Sequence, residues 1–259
     1  MKNAIFITVR KDSNRLSDKC LLPILEQPVL QLIIKRALKA KEFHEVIVCT
    51  TTREIDDEVV EIAEKNGAKT YRGSLNDKLD RWNKAAIKYG IDYIVTFDGD
   101  DLFCDPYLLD LGVKQMIERQ LDFIESPDGM VVGAFSYGFS AKALEQVCQI
   151  KASDQTEMMW VYFKDTGLFQ CGKLENVSKC YFSSKIRATL DYPEDYTFFL
   201  KVFDHFKCEN NDVGIDIISN YLEQHPEIAS INIARQQDFL DNQRAKTHLK
   251  LKNNIPVNS

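Results

Sequence analysis

Along the first hundred positions apolar residues follow two rhythms in turn. Compact runs, "AIFITV" (4–9), "EVIVCT" (45–50) and "DYIVTFD" (92–98), are rich in β-branched and aromatic side chains and lack helical spacing, so they read as strands buried on both faces. Between them Val29, Leu32, Ile33, Ala37 and Ala40 recur at helical spacing behind Pro28, a residue suited to a helix entry. "REIDDEVVEIAEKNG" predicts a helix closed by Gly67, "KTYRG" a short strand, and "NDKLDRWNKAAIKYG" a helix ending at Gly90. Strand and helix in alternation, with apolar strands, predict an α/β fold: a mostly parallel sheet covered by helices on both faces.

The second half is less regular. "VVGAFS" (131–136) predicts a strand, "AKALEQVCQI" and "SDQTEMMWVYFKD" predict helices, and "SKIRATLDYPEDYTFFLKVFDHF" predicts a strand running into a helix that Pro193 begins. The expected organisation is one α/β domain over residues 1–234, with 127–183 as a small insertion for acceptor or dimer contacts. Residues 235–259, poor in apolar side chains, are expected to form a loosely packed C-terminal arm.

A chain of 259 residues, 44% hydrophobic and 28% charged, buries a substantial core, and its net charge of −6 argues against general nucleic-acid binding. No run approaches the roughly 20 apolar residues that cross a bilayer, and the N-terminal run is too short for a signal peptide. Seven scattered cysteines without a C-x-x-C pair fit reduced thiols and a cytoplasmic protein, with neither a zinc site nor a disulfide framework.

Ligands of parallel α/β sheets bind at the carboxyl ends of the strands. After the first strand comes "TVRKDSNRLSDK" (8–19), which places Arg10, Lys11, Arg15 and Lys19 in one polar loop with Ser13 and Asn14 among them. Such a loop can cradle phosphate with backbone N–H groups while the cations neutralise it. Neither G-x-x-x-x-G-K-[ST] nor G-x-G-x-x-G is present, which counts against a P-loop and against a dinucleotide cofactor. "TFDGDD" ends the later strand with Asp98, Asp100 and Asp101. Carboxylates gathered at one strand end suit Mg²⁺, which takes one or two of them plus substrate phosphate oxygens; the bland alternative is a solvated turn with Asp105 capping the next helix. Asp191 in "TLDYPED" is the expected second metal carboxylate, with Asp195 as a helix cap. "YRGSLNDKLDRW" could be no more than a helix start, or Ser74, Asp80 and Arg81 could read a nucleoside. Trp82, Trp160 and the apolar "MMWVYF" read as packing or interface, and the four histidines show no ligand spacing.

"VRKDSNRLSDKCL" resembles the signature A-R-x-G-S-x-R-L-P-x-K-x-L of the cytidylyltransferases that activate sugars as CMP derivatives: the CMP-Kdo and CMP-sialate synthetases and the SpsF-like branch. "DGDD" stands where that branch has T-G-D-C, and "RATLDYPEDY" is similar to its R-L-T-V-D-T-P-E-D. The resemblance covers most of residues 4–205 in order. It implies a Rossmann-like nucleotidyltransferase sheet of GT-A type. Arg10, Ser13, Asn14, Arg15 and Lys19 would lie on the CTP phosphates, with Arg10, Lys19 and Asp100 catalytic. Ser74, Asp80 and Arg81 would lie near the nucleoside, and Asp100 and Asp191 would hold Mg²⁺. It further implies CTP and a small sugar-acid acceptor as substrates, polysaccharide-precursor synthesis and a homodimer.

Two positions depart from the signature: Asp12 replaces glycine or alanine, and Ser17 replaces proline. An acidic side chain in a phosphate loop is unfavourable unless it points away or pairs with Lys11. Two alternatives therefore stand beside the transferase: a GT-A glycosyltransferase, because "DGD" is also a D-x-D pattern, and a nucleotide-binding homologue without turnover.

Overall fold

A computed structural model of the chain describes residues 1–12 and 15–252. In chain order its elements are β1 (Asn3–Thr8), β2 (Pro23–Ile24), β3 (Gln27–Pro28), α1 (Val29–Ala37), β4 (Glu45–Thr51), α2 (Asp57–Lys65), β5 (Lys69–Gly73), α3 (Lys78–Tyr89) and β6 (Tyr93–Asp98). There follow α4 (Pro106–Glu118), β7 (Phe123–Glu125), β8 (Tyr137–Ser140), α5 (Ala141–Ile150), α6 (Val161–Lys164), β9 (Cys171–Lys173), α7 (Pro193–Phe206), α8 (Ile215–Gln224), α9 (Pro226–Ile233) and α10 (Arg235–Lys246).

Seven strands form one sheet in the order β5-β4-β1-β6-β8-β7-β9. β5, β4, β1 and β6 are mutually parallel, β8 is antiparallel to both of its neighbours, and β7 pairs with β9 in parallel. The strand period of two divides the core. Ile5 and Ile7 of β1 pack on one face with Leu30, Ile33, Phe97 and Phe199, while Ala4 and Phe6 pack on the other with Trp82, Phe139 and Phe163. Both faces are buried, which is why the parallel strands read as continuous apolar runs. Among the described residues no helix is long and apolar enough to cross a membrane.

Local chemistry sets the helix ends. Gly90 closes α3 in the left-handed conformation, φ 63°, and Asp77 caps its start by accepting from the Asp80 N–H. Asp105 caps α4 ahead of Pro106. α7 begins at Pro193 with Asp195 in a capping box, as expected for that residue.

Three expectations are corrected. Residues 131–136 form no strand, because Gly133 takes φ +92° and lies against the Ala188 carbonyl, so a strand starts only at Tyr137. Of residues 153–165 only Val161–Lys164 are helical: the Thr156 hydroxyl is tied to Asp77 (2.9 Å) and to the Leu79 N–H (3.1 Å), which holds that stretch off a helical path. Residues 185–191 run without a ladder, joined by one bridge between Val132 and Arg187 and by Leu190 N–H to the Asp100 carbonyl at 2.8 Å. The "MMWVYF" stretch buries Met159, Val161, Tyr162 and Phe163 in the chain's own core, so those four side chains are not a dimer face. Residues 127–183 supply β8 and β9 to the central sheet. α10 buries no side chain, and beyond it Lys252 N–H bonds the Ile150 carbonyl at 2.9 Å.

Candidate active site

The carboxyl ends of β1 and β6 open into a cleft of about 650 Å³ lined by Arg10, Arg15 and Lys19 from the first loop and by Asp98, Asp100 and Asp101 from the second. The two loops are pinned together: Gly99 N–H bonds the Thr8 carbonyl at 3.2 Å, and a Cβ on Gly99 would lie 2.7 Å from that oxygen. The first loop is closed by Asp18 N–H to the Lys11 carbonyl (3.2 Å) and anchored from below by Lys11 N–H to the buried Asp56 carboxylate (2.8 Å).

Lys19 reaches across to Asp100 (2.6 Å) and Asp191 (3.0 Å), and Arg15 bonds the same oxygen of Asp191. Asp191, 0% exposed, is held from behind: Arg187 donates to its other oxygen at 3.3 Å, and its own N–H bonds Asp195 at 2.8 Å. Asp195 also takes Arg187 Nε at 3.0 Å and Asn232 at 2.8 Å, so it acts as a bracket for Asp191 and not as a ligand facing the cleft.

The electrostatics follow from this arrangement. Burial opposes charge on Lys19, yet Asp100 and Asp191 outweigh it and hold the ammonium well above the usual lysine range. Burial likewise opposes ionisation of Asp191, but Lys19 and Arg15 prevail and hold it far below the usual carboxylate range. Asp100 is raised, chiefly by burial, and Asp101 more so, by burial and then by Asp100 and Asp98.

Among the described residues no group of three or more His, Cys, Asp or Glu side chains converges as a metal cage. What does converge is a pair. One oxygen each of Asp100 and Asp191 faces a single point, now held by the Lys19 ammonium, which stands in for a cation. Two hard oxygen donors with room for substrate phosphates are the donor set that Mg²⁺ takes, so the residues fit such an ion.

Other expected residues are placed unequally. Arg81 lines the cleft and donates to the Ser74 carbonyl at 2.6 Å, while the Ser74 hydroxyl accepts the Asp77 N–H at 3.1 Å; Ser74 therefore acts on the cleft by positioning Arg81. Asp80 is not brought to the cleft: it pairs with Lys84 at 2.9 Å, one helical turn on. Ser13 and Asn14 lie outside the described residues. Lys11 pairs with Glu58 (2.9 Å), and Asp12, expected to point away or pair with Lys11, is instead held by Arg53 with Arg10 beside it.

Sequence reasoning missed several groups. Lys78 lines the cleft 3.7 Å from Asp98, with Trp82 beneath its ammonium at 4.6 Å; only its position in "NDKLDR" beside Arg81 hinted at it. Arg187 sits four residues before Asp191 in "RATLD", a signal legible in the quoted motif. Trp160 packs against the core as expected and also lines the cleft, as do Phe239, Gln243 and Lys246 of α10; nothing in the sequence of the arm pointed there.

Comparison with known proteins gives a consistent picture. The family model described as cytidylyltransferase matches residues 4–170. The spore coat polysaccharide biosynthesis protein SpsF of Bacillus subtilis is 25% identical over 241 residues, 89% of this chain and 98% of that protein. A solved cytidylyltransferase from Leptospira borgpetersenii superposes with a TM-score of 0.79 at 30% identity, covering 88% of this chain and 97% of that one. A CMP:2-keto-3-deoxy-manno-octonic acid synthetase complexed with CTP shares the fold, with a TM-score of 0.60 at 19% identity over 80% of this chain and all of that one.

Proposed function

The chain belongs to the cytidylyltransferase family, and on that premise we propose that this CTP-dependent nucleotidyltransferase moves CMP from CTP to a sugar acid in the synthesis of a surface polysaccharide precursor. The observation that carries the reading is the convergence of Arg15, Lys19, Asp100 and Asp191 at one end of a cleft large enough for a nucleotide and a sugar.

The oxygen of an acceptor hydroxyl attacks the α-phosphorus of CTP in line, the bond to the bridging oxygen of the β-phosphate breaks, pyrophosphate leaves with that electron pair, and the hydroxyl proton passes to solvent. The barrier is lowered by positioning and by fixed charge, so no side chain need act as nucleophile. Arg10, Arg15 and Lys19 meet the negative charge that builds on the leaving pyrophosphate. Arg187 and Asp195 keep Asp191 in place while its cationic partners exchange. Arg81 and Lys78 are the groups available to the nucleoside. Asp100 and Asp191 would hold Mg²⁺, which when bound supplies charge neutralisation to the triphosphate. The acceptor lies in the remaining part of the cleft, beside Trp160, Lys164 and α10.

The test is thermal stabilisation by CTP, UTP, ATP and GTP with Mg²⁺, followed by pyrophosphate release from CTP with 3-deoxy-manno-octulosonate as first acceptor. A ligand of the native state raises Tm. A shift confined to CTP is expected. A shift with a nucleoside diphosphate or a nucleotide sugar and none with CTP would replace this reading with a glycosyltransferase.

A further inference from the structure

Asp12 stands where the related signature has glycine or alanine, and its carboxylate is already occupied. Arg53, from the turn after β4, grips it with both terminal nitrogens, one at 2.7 Å, and Arg10 Nε lies 3.6 Å from the same oxygen. Two guanidinium groups from different loops thus converge on one anion, and Arg10 is also a wall of the cleft that holds Arg15 and Lys19.

The two carboxylates that meet Arg53 differ in kind. Behind it, Thr51 Oγ1 accepts from Nε at 3.2 Å and Asp56 from Nη2 at 3.4 Å, while Arg72 donates to the Arg53 carbonyl at 2.8 Å. Asp56 is 0% exposed and also accepts the Lys11 N–H at 2.8 Å, so one buried carboxylate ties the arginine to the backbone of the first loop. In front, the side chain of Asp12 is 47% exposed, and its side-chain partners among the described residues are Arg53 and Arg10.

A guanidinium fork matches phosphate oxygens as well as it matches a carboxylate, and a triphosphate brings more charge and more acceptors than one aspartate. We propose that Arg53 is a further phosphate-binding residue of this chain, and that Asp12 is a built-in stand-in anion which the distal phosphates of the nucleotide displace from Arg53 and Arg10. The inference rests on the reading of the first loop as the CTP-phosphate site. It accounts for an acidic residue in a loop that must receive a triphosphate: Asp12 keeps the arginines ordered between turnovers and lowers nucleotide affinity in proportion.

Calorimetric titration of the 259-residue chain with CTP and with CMP tests it, because CMP lacks the distal phosphates. Loss of one charged hydrogen-bonded contact should make R53A bind CTP about tenfold more weakly, and removal of the competitor should make D12A bind CTP about threefold more tightly. CMP affinity should be unchanged in both, and D12A/R53A should show no gain over R53A. R53K, which keeps the charge without the fork, should also weaken CTP and covers the case that R53A does not fold. CTP affinity within twofold of wild type in R53A and R53K, an equal loss for CMP, or weaker CTP binding by D12A would each overturn the inference. Wild-type protein that binds no CTP would overturn the CTP reading itself, and this inference with it; wild type that binds, with unaltered variants, overturns only the inference.

Discussion

Lys19 Nζ lies 2.6 Å from Asp100 and 3.0 Å from Asp191, and whatever cation enters between those carboxylates must share or displace it. Its removal deletes a fixed positive charge where pyrophosphate departs and leaves two carboxylates without the ammonium that joins them. Lys19→Met should lower kcat about 100-fold or more, in line with the loss of one preorganised donor to a developing oxyanion, as read by pyrophosphate release. Stability should change little, because Asp191 keeps Arg15 and Arg187. The Asp12 carboxyl is held below its usual range first by its hydrogen bond to Arg53 and further by the charges of Arg53 and Arg10. A depressed folded-state pKa gives a contribution present above the unfolded carboxylate value near ~3.9 and lost as pH falls through the folded value. The ratio of CTP affinities between D12A and wild type should therefore be flat from about pH 6 to 8. The cations of the first loop were legible in the sequence; which carboxylate each one meets was not, because Asp100 and Asp191 are 91 residues apart and meet only through the fold.

At the scale of elements, the start of α7 is the clearest case of local chemistry serving the site. Pro193 fixes the first turn, Asp195 closes the capping box, and the same carboxylate locks Asp191 and Arg187. Arg187 is 0% exposed with Asp191 and Asp195 as partners, so its replacement strands the buried charge of Asp195, while Asp191 keeps Arg15 and Lys19. Arg187→Met should cost about 3–5 kcal/mol of stability, measured by denaturant unfolding, because breaking a buried pair leaves uncompensated charge. Elements with strong periodicity, such as α3 with its close at Gly90, stood in the sequence as written. Residues 131–136 did not. Their β-branched run predicts a strand, yet Gly133 must pass so close to Ala188 that a Cβ there would lie 2.1 Å from its carbonyl oxygen, and tertiary contact overrides propensity.

For the molecule as a whole, the cleft draws on both ends of the chain. α10 buries no side chain, yet Gln236 accepts from Arg187 at 3.1 Å, Phe239 lies 4.7 Å from the same guanidinium, and Gln243 and Lys246 reach the cleft. An element with so little burial contributes little to the core and much to the shape of the site. Replacing Phe239, Gln243 and Lys246 together by Ala should lower Tm by only about 2–4 °C for a chain of this size, roughly the effect of 1 kcal/mol. Pyrophosphate release should fall more than tenfold, the loss expected when a wall that orients substrate is removed. A drop in Tm large enough to melt the protein at assay temperature would instead make α10 a structural strut.

The sequence by itself determined the alternating layers, the buried parallel strands and the loop in which phosphate-binding cations gather, because these depend on periodicity, caps and composition over a few residues at a time. Only the tertiary structure decided the rest: that Lys19 bridges Asp100 and Asp191, that Asp80 turns to Lys84, that Arg53 takes Asp12, and that the C-terminal helix walls the cleft. Each of these is a contact between segments, or a choice among several opposite charges within reach. Charge attracts without regard to distance along the chain, so its partner is fixed only when packing has set which groups stand within a hydrogen bond of one another.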